Sequence, residues 1–250
     1  MILATSGYSA RPGYLSELAE SREVNQLQVA HRFMPGAEPA SEAWEYLTIQ
    51  QSAADLHQIV ELFKQIYDGV WISFGGSKNG MAALFHRRFY PEDVEATIAL
   101  YAEEYIRVFE PVYYQAYTEF GWYRLVNDHL QDLLIGVPAP SYSFFAPQDV
   151  PLLFKAEVMQ DIIGWLETEG NNIVYIYGGQ DPWTAAAISD IAQTNSLKIV
   201  QPGANHHLRI EDLDEKELAY STIEEWTGID FTPAALGKSP ETRSQEFNFR

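Results

Sequence analysis

Apolar positions along the chain follow two rhythms. Short unbroken or alternating runs at 1–5 (MILAT), 26–33 (QLQVAHRF), 70–74 (VWISF), 95–101 (EATIALY), 172–177 (NIVYIY) and 197–201 (LKIVQ) read as strands. The stretch 49–68 instead carries Leu56, Ile59, Val60, Phe63 and Tyr67, the i, i+3, i+4, i+7 spacing of one helix face. Further helices are predicted at 15–21, 78–89, 155–168, 183–194 and 215–226. Tyr90-Pro91 stops the helix at 78–89, because a residue before proline is pushed out of the helical region. Residues 34–46 (MPGAEPASEAWEY) form a proline-rich loop. Strands alternating with helices predict an α/β fold, a mostly parallel sheet with helices on both faces.

The middle third breaks this alternation. Residues 103–135 are helical and aromatic-rich, with Phe109, Tyr113, Tyr114, Tyr117, Phe120, Trp122 and Tyr123. A loop with three prolines follows (VPAPSYSFFAP), and then the amphipathic helix 155–168. The organisation expected is a core of 1–102 and 169–230, a reduced helical lid insertion at 103–168, and a polar tail at 231–250. The aromatics read as lid and core packing, with several available to line an apolar pocket.

Composition narrows the partners. Sixteen Lys and Arg against 35 Asp and Glu leave a net charge of −19. Such a surface repels phosphate backbones and anionic lipid, so neither nucleic acid nor membrane is expected as a partner; it favours cationic ligands, free amines among them. Hydrophobic residues make up 46% of the chain, yet no apolar run approaches the roughly 18 residues of a membrane span. The absence of cysteine removes disulfides, thiolate metal sites and cysteine nucleophiles together. MILATSGYS reads as a strand beginning at the first residue rather than as a signal peptide.

In a parallel sheet, reactive residues sit on loops leaving the carboxyl ends of strands, and three such loops carry suitable atoms. GGSKNG (75–80) follows VWISF and sets Ser77 between glycines, as a sharp nucleophile turn requires, although Gly80 stands one place past its usual position. GGQDPW (178–183) sets Asp181 in a loop that Pro182 keeps from continuing as helix; capping of the following helix is the competing role for this aspartate. PGANHH (202–207) sets His206 and His207 at a third strand end, and spacing alone does not separate the two imidazoles. The order Ser, Asp, His is that of α/β-hydrolases. A serine hydroxyl needs a neighbouring imidazole to take its proton, and the carboxylate fixes the tautomer of that imidazole. The amide of Lys78, together with one from the Ser6-Gly7-Tyr8 loop (Gly7 or Tyr8), is the expected pair of oxyanion donors.

TSGY, ELAESREVNQLQVAHRFMPGAEP, WEYLTIQQSAADLHQIV, ISFGGSKNGMAALFHRRFYPEDVE, YIYGGQDPWTA and GANHHLRI together resemble the serine tripeptidyl aminopeptidases. These are bacterial α/β-hydrolase peptidases, related to Pro-X carboxypeptidases, that remove short peptides from free N-termini. The resemblance covers most of residues 1–215. It implies the α/β-hydrolase fold, Ser77 as nucleophile, Asp181 as orienting acid and His206 as base, no cofactor, and a secreted or cell-envelope setting. The family elbow reads S-K-G-G where this chain has Ser77-Lys78-Asn79-Gly80, and family members are longer, with extra strands before the TSGY-like segment and a longer lid. The expected substrate is a peptide or small ester. Ester hydrolysis with an opened pocket, or a non-catalytic binding module, are the alternatives that the shortened insertion leaves open.

The remaining polar residues carry blander expectations. Glu103 and Glu104 follow a strand end and are candidates for binding a substrate ammonium group, set against a solvated face. His31, His57, His86 and His129 read as packed or surface residues, and no pair has a metal-ligand signature, so no metal is expected. Asp55 reads as a helix-face partner. Lys78 is expected to matter for its backbone amide, its ammonium pairing with one of the chain's many carboxylates.

Overall fold

A computed structural model describes residues 2–6, 8–39, 43–100, 110–122 and 142–230. Six strands form one sheet: β1 (Ile2–Ser6), β2 (Asn25–Val29), β3 (Trp71–Gly76), β4 (Ala96–Leu100), β5 (Ile173–Gly178) and β6 (Leu197–Gln201). Their order is β2-β1-β3-β4-β5-β6 and every pairing is parallel. All six strands therefore end on the same sheet edge, and the loops that leave them share it. The central strands β4 and β5 are buried at every position, and β3 at all but its last residue, which is why their sequences are nearly continuous apolar runs.

Helices cover both faces. Alternate residues of the central strands divide between two cores, as the two-residue period of a strand requires. Ile72, Phe74, Ile98, Leu100, Val174 and Ile176 pack against Leu18 and Ala19 of α1 (Glu17–Ser21) and against Ala219, Tyr220 and Ile223 of α6 (Lys216–Thr227). On the opposite face, Ala99, Ile173, Tyr175 and Tyr177 meet Ile49 of α2 (Ile49–Lys64), Leu84 and Phe85 of α3 (Lys78–Phe89), and Ile162 and Leu166 of α5 (Ala156–Thr168). Leu56 and Val60 of α2 extend this layer over Trp71 and Val94. Each aliphatic side chain so enclosed contributes about 1.5–3 kcal/mol. This is the α/β-hydrolase arrangement. Within the 103–168 stretch, α5 lies on the sheet, whereas α4 (Glu110–Gln115) runs on into a five-residue π-helical turn, Ala116–Phe120.

One predicted helix is corrected. Residues 183–194 do not form one; a short 3-10 turn, Pro182–Ala186, is followed by irregular chain up to β6. Asn195 at its end donates from its backbone amide to the Asn171 side chain at 2.6 Å, so this connection is held by side-chain bonds rather than by a helical ladder. The segment's alanines satisfied a helical composition, but the 3-10 turn stops where Ala187 goes extended, and the chain then runs irregularly to β6. The expected helix over the first part of 103–135, His129, and the tail at 231–250 lie wholly or partly outside the described residues.

The turn from β3 into α3 packs closely on β4. A Cβ on Gly80 would come within 2.7 Å of the Leu100 carbonyl oxygen and 2.9 Å of the Gly75 carbonyl oxygen, so the first turn of α3 rests on the end of β4 at a distance that glycine alone allows. At the far end of the same helix, Asp93 is buried between two imidazoles. Its carboxylate accepts from His86 Nε2 at 2.7 Å and from His57 Nδ1 at 2.8 Å, joining α2 and α3 to the start of β4. Burial works to push the Asp93 carboxyl up, but the hydrogen bonds from His86 and His57 outweigh it and hold the group below the usual carboxylate value.

Two predictions follow from these packing facts. Gly80→Ala is expected to cost about 1–3 kcal/mol in urea denaturation, because backbone on both sides must move to admit the methyl group; an unchanged midpoint would contradict the close approach. Asp93→Asn is expected to cost about 1.5–3 kcal/mol at neutral pH. A folded-state pKa below the unfolded one gives stability that is present above the ordinary carboxylate value and lost as pH falls through the folded value. The gap between wild type and Asp93→Asn should therefore close on acidification below about pH 4, and a gap independent of pH would show that the carboxylate charge plays no part.

Candidate active site

Ser77 occupies the turn between β3 and α3 with φ 53° and ψ −126°, a region that side-chain-bearing residues seldom enter. Two backbone bonds hold it there. Its amide donates to the Leu100 carbonyl at 2.6 Å, and its carbonyl accepts from Met81 at 3.0 Å. Although Ser77 stands at the N-cap position of α3, its hydroxyl makes no capping bond. A serine that begins a helix ordinarily caps it, so the strained turn withholds the hydroxyl from structural duty. Asn79 is half-buried in the first turn, and its Oδ1 is buried without a hydrogen-bond partner. Crowding calls for glycine at two places in this turn: at Gly80, against the Leu100 and Gly75 carbonyls, and at Gly75, where a Cβ would stand 2.4 Å from the Asn79 carbonyl carbon.

The loops after β5 and β6 are joined to each other before they present any side chain. The Gly179 amide donates to Gln201 at 2.8 Å, and the Gln180 amide to Ala204 at 2.9 Å. Gly178 permits this approach, since a Cβ there would stand 2.5 Å from the Asn205 carbonyl oxygen. Asp181, 5% exposed, then uses both carboxylate oxygens: Oδ1 accepts the Trp183 amide at 3.0 Å and Oδ2 lies 2.5 Å from His206 Nδ1. The cap and the imidazole partner, posed as alternatives by the sequence, coexist on one side chain. His206 is mostly enclosed, and its Nε2 is buried with no hydrogen-bond partner, so no bond joins it to Ser77. His207 is exposed, and its backbone amide bonds to the Asn205 side chain at 2.9 Å.

Aromatic rings adjoin this pair. The Trp183 ring lies 6.3 Å from that of His206 and 5.2 Å from Trp122, which is 5.1 Å from Tyr113; Phe145 stands 5.1 Å from Tyr113 on another side. Of the expected oxyanion donors, Tyr8 has its carbonyl fixed by the His31 amide at 3.0 Å, while Gly7 lies outside the described residues, as do Glu103 and Glu104.

The Lys78 side chain is buried, its ammonium donates to the Gln115 side-chain oxygen, and it sits 4.9 Å above the Phe120 ring; among the described residues no carboxylate forms an ion pair with it. Burial lowers its pKa to about 7, with the more distant charge of Glu119 acting in the opposite sense. His31 nearby is brought down to about 3, first by burial and then by the Lys78 charge. Asp55, as expected, pairs with Arg32, through bonds of 2.6 and 2.7 Å. Nothing in the sequence signalled that Lys78, Gln115 and Glu119 would be buried together. Among the described residues, no group of three or more His, Asp or Glu side chains is arranged to hold a metal ion, and no helix is long and apolar enough to cross a membrane.

Comparison with known proteins adds the family. A prolyl tri/tetrapeptidyl aminopeptidase from Streptomyces mobaraensis is 22% identical over 360 residues, covering 95% of this chain and 74% of that protein. Among solved structures, E-2-(acetamidomethylene)succinate hydrolase matches with a TM-score of 0.49 at 15% identity, over 92% of this chain and 91% of that one. An alpha/beta hydrolase from Novosphingobium aromaticivorans matches with a TM-score of 0.47 at 14% identity, over 90% and 88%. The model of the PS-10 peptidase S37 family matches residues 2–107 and 97–247, nearly the whole length, and the chain belongs to that family of hydrolases.

Proposed function

We propose that this chain is a serine peptidase that releases short peptides from free N-termini through an acyl-enzyme, with Ser77 as nucleophile, His206 as base and Asp181 as the acid that orients it. The observation that carries the reading is the Asp181–His206 pair at 2.5 Å, whose Nε2 is buried and unpartnered. A buried ring nitrogen without a partner is costly; His86 Nδ1 is another, but of the two only His206 stands on a loop at the carboxyl end of the sheet, where a general base waiting for a substrate-bound nucleophile accounts for it. Catalytic hydrogen bonds are commonly long before substrate arrives.

In this reading His206 Nε2 takes the Ser77 proton as Oγ attacks the scissile carbonyl. The amides of Lys78 and of Tyr8 or Gly7 receive the oxyanion. The leaving amine departs with the proton held by His206, and water then attacks the acyl-serine by the same route in reverse. Asp181 keeps its charge throughout and holds the imidazole by Nδ1. The rings of Trp122, Trp183, Tyr113 and Phe145 offer an apolar wall beside the base for the residue preceding the cleaved bond. Glu103 and Glu104 are proposed to hold the substrate ammonium. The name of the Streptomyces mobaraensis relative and the acidic balance of the chain support a free-amine substrate.

A fluorophosphonate probe tests the chemistry. Wild type should take one label, Ser77→Ala none, and Asp181→Asn should turn over an activated ester about 10³–10⁴-fold more slowly than wild type. Equal labelling of wild type and Ser77→Ala would overturn the nucleophile, and a wild type that takes no label would favour a binding module.

Substrate class is tested separately with short peptide anilides whose N-termini are free or acetylated, beside p-nitrophenyl esters. A preference of at least tenfold in kcat/KM for free over acetylated peptides is expected. Equal rates on both, with esters far faster, would assign the chain as a small-ester hydrolase.

A further inference from the structure

Between the insertion and the core, one junction has a polar interior. The π-helical turn Ala116–Phe120 and the last residue of α4 place three groups against the core: the Gln115 side chain, the Phe120 ring and the Glu119 carboxylate. Gln115, 1% exposed, accepts the Lys78 ammonium, and Phe120 lies beneath it. Glu119 reaches the other way, its carboxylate accepting the Ile49 amide at 2.6 Å at the first turn of α2. Lone π turns inside helices recur at functional sites, because the extra residue re-aims side chains that a regular helix would point elsewhere.

Lys78 is the residue after Ser77. Its side chain and its backbone amide therefore belong to one rigid unit, the first turn of α3. A buried ammonium held by one amide oxygen and one ring face has few orientations open to it, since a buried charge without its partner is strongly disfavoured. If the hydrolase reading above holds, the amide that this lysine orients is the one that receives the oxyanion, and donors there must be placed to within a few tenths of an ångström.

We propose that Lys78 is a positioning residue whose buried side chain, clamped by Gln115 and Phe120 of the insertion, sets the orientation of the turn carrying Ser77 and its neighbouring amide. The insertion thereby controls the nucleophile turn directly, through the Lys78–Gln115 contact. The clamp rests on the proposed function only for its catalytic consequence; the mechanical link stands apart from it.

The Gln115 side chain allows a clean design. Its Nε2 is buried without a partner, so Gln115→Glu removes no hydrogen bond and leaves an acceptor for Lys78, whereas Gln115→Leu removes the acceptor at similar size. Kinetics on a small p-nitrophenyl ester, normalised to sites titrated with fluorophosphonate, should show kcat lowered tenfold or more in Gln115→Leu and in Lys78→Met, with KM within about twofold. The double variant should be no slower than Lys78→Met alone, and Gln115→Glu should stay within about threefold of wild type. A purely structural role would lower the melting temperature and the fraction of titratable sites but leave kcat per site unchanged, and that result would overturn the proposal. Hydrogen exchange reads the clamp without turnover. Amides of residues 78–81 should exchange at least tenfold faster in Gln115→Leu than in wild type, with α6 unaffected, whether or not the chain hydrolyses anything. Unchanged exchange at 78–81 overturns the clamp, while absence of label in the wild type overturns the hydrolase reading alone.

Discussion

The contact on which the rest of the structure depends is that between the β3–α3 turn and the end of β4. The Leu100 carbonyl accepts the Ser77 amide at 2.6 Å, and the space beside it excludes any Cβ on Gly80. These two facts fix the direction in which α3 leaves the sheet and hold Ser77 at a positive φ. Strain of this kind costs on the order of 1–3 kcal/mol and persists only where surrounding structure over-determines it. Here the over-determination is visible: β4 pins one side of the turn, the α3 ladder pins the other, and the Lys78 side chain reaches from the same turn into the insertion.

A second pinned junction lies across the sheet edge. The loops after β5 and β6 exchange backbone bonds, and Gly178 lets them close to carbonyl distance before Asp181 and His206 meet. In both places the backbone approach comes first and the side-chain geometry follows from it. β3 and β5 are separated only by β4, about 10 Å at ordinary strand spacing.

How much of this was legible in the sequence depends on how local each signal is. The strands were readable because buried parallel strands are apolar at nearly every position, and the β3–α3 turn because Gly75 and Gly80 bracket it. The Asp181 and His206 loops were readable from their places after strands, and the Asp181–His206 contact is what separates His206 from His207, which spacing could not. The 183–194 helix failed because composition favours a helix there, while the chain goes extended at Ala187 and its far end is tied to Asn171 and Asn172 by side-chain bonds. Neither the His57–Asp93–His86 cluster nor the Lys78–Gln115 bond was legible. Their partners lie 7 to 37 residues apart and gain meaning only when α2, α3 and the insertion are stacked. A buried polar group has no periodic signature; it is recognised by what surrounds it.

Asn79 shows how a local motif misleads when its physical reason is left out. The glycine that a nucleophile turn demands is demanded by a close approach, and a pattern records only the position where that approach usually falls. In this chain the first turn of α3 meets β4 at Gly80, and Asn79 itself packs against Gly75 of β3, where a Cβ would stand 2.4 Å from the Asn79 carbonyl carbon. The Asn79 amide oxygen is left buried and unpaired, a cost of about 1–3 kcal/mol. The turn therefore holds two uncompensated features side by side, the positive φ of Ser77 and the unpaired oxygen of Asn79, with the buried Lys78 ammonium between them in sequence. Costs gathered on three consecutive residues persist because the surrounding structure leaves the turn no alternative: the end of β4 holds the Ser77 amide, and the α3 ladder holds its carbonyl.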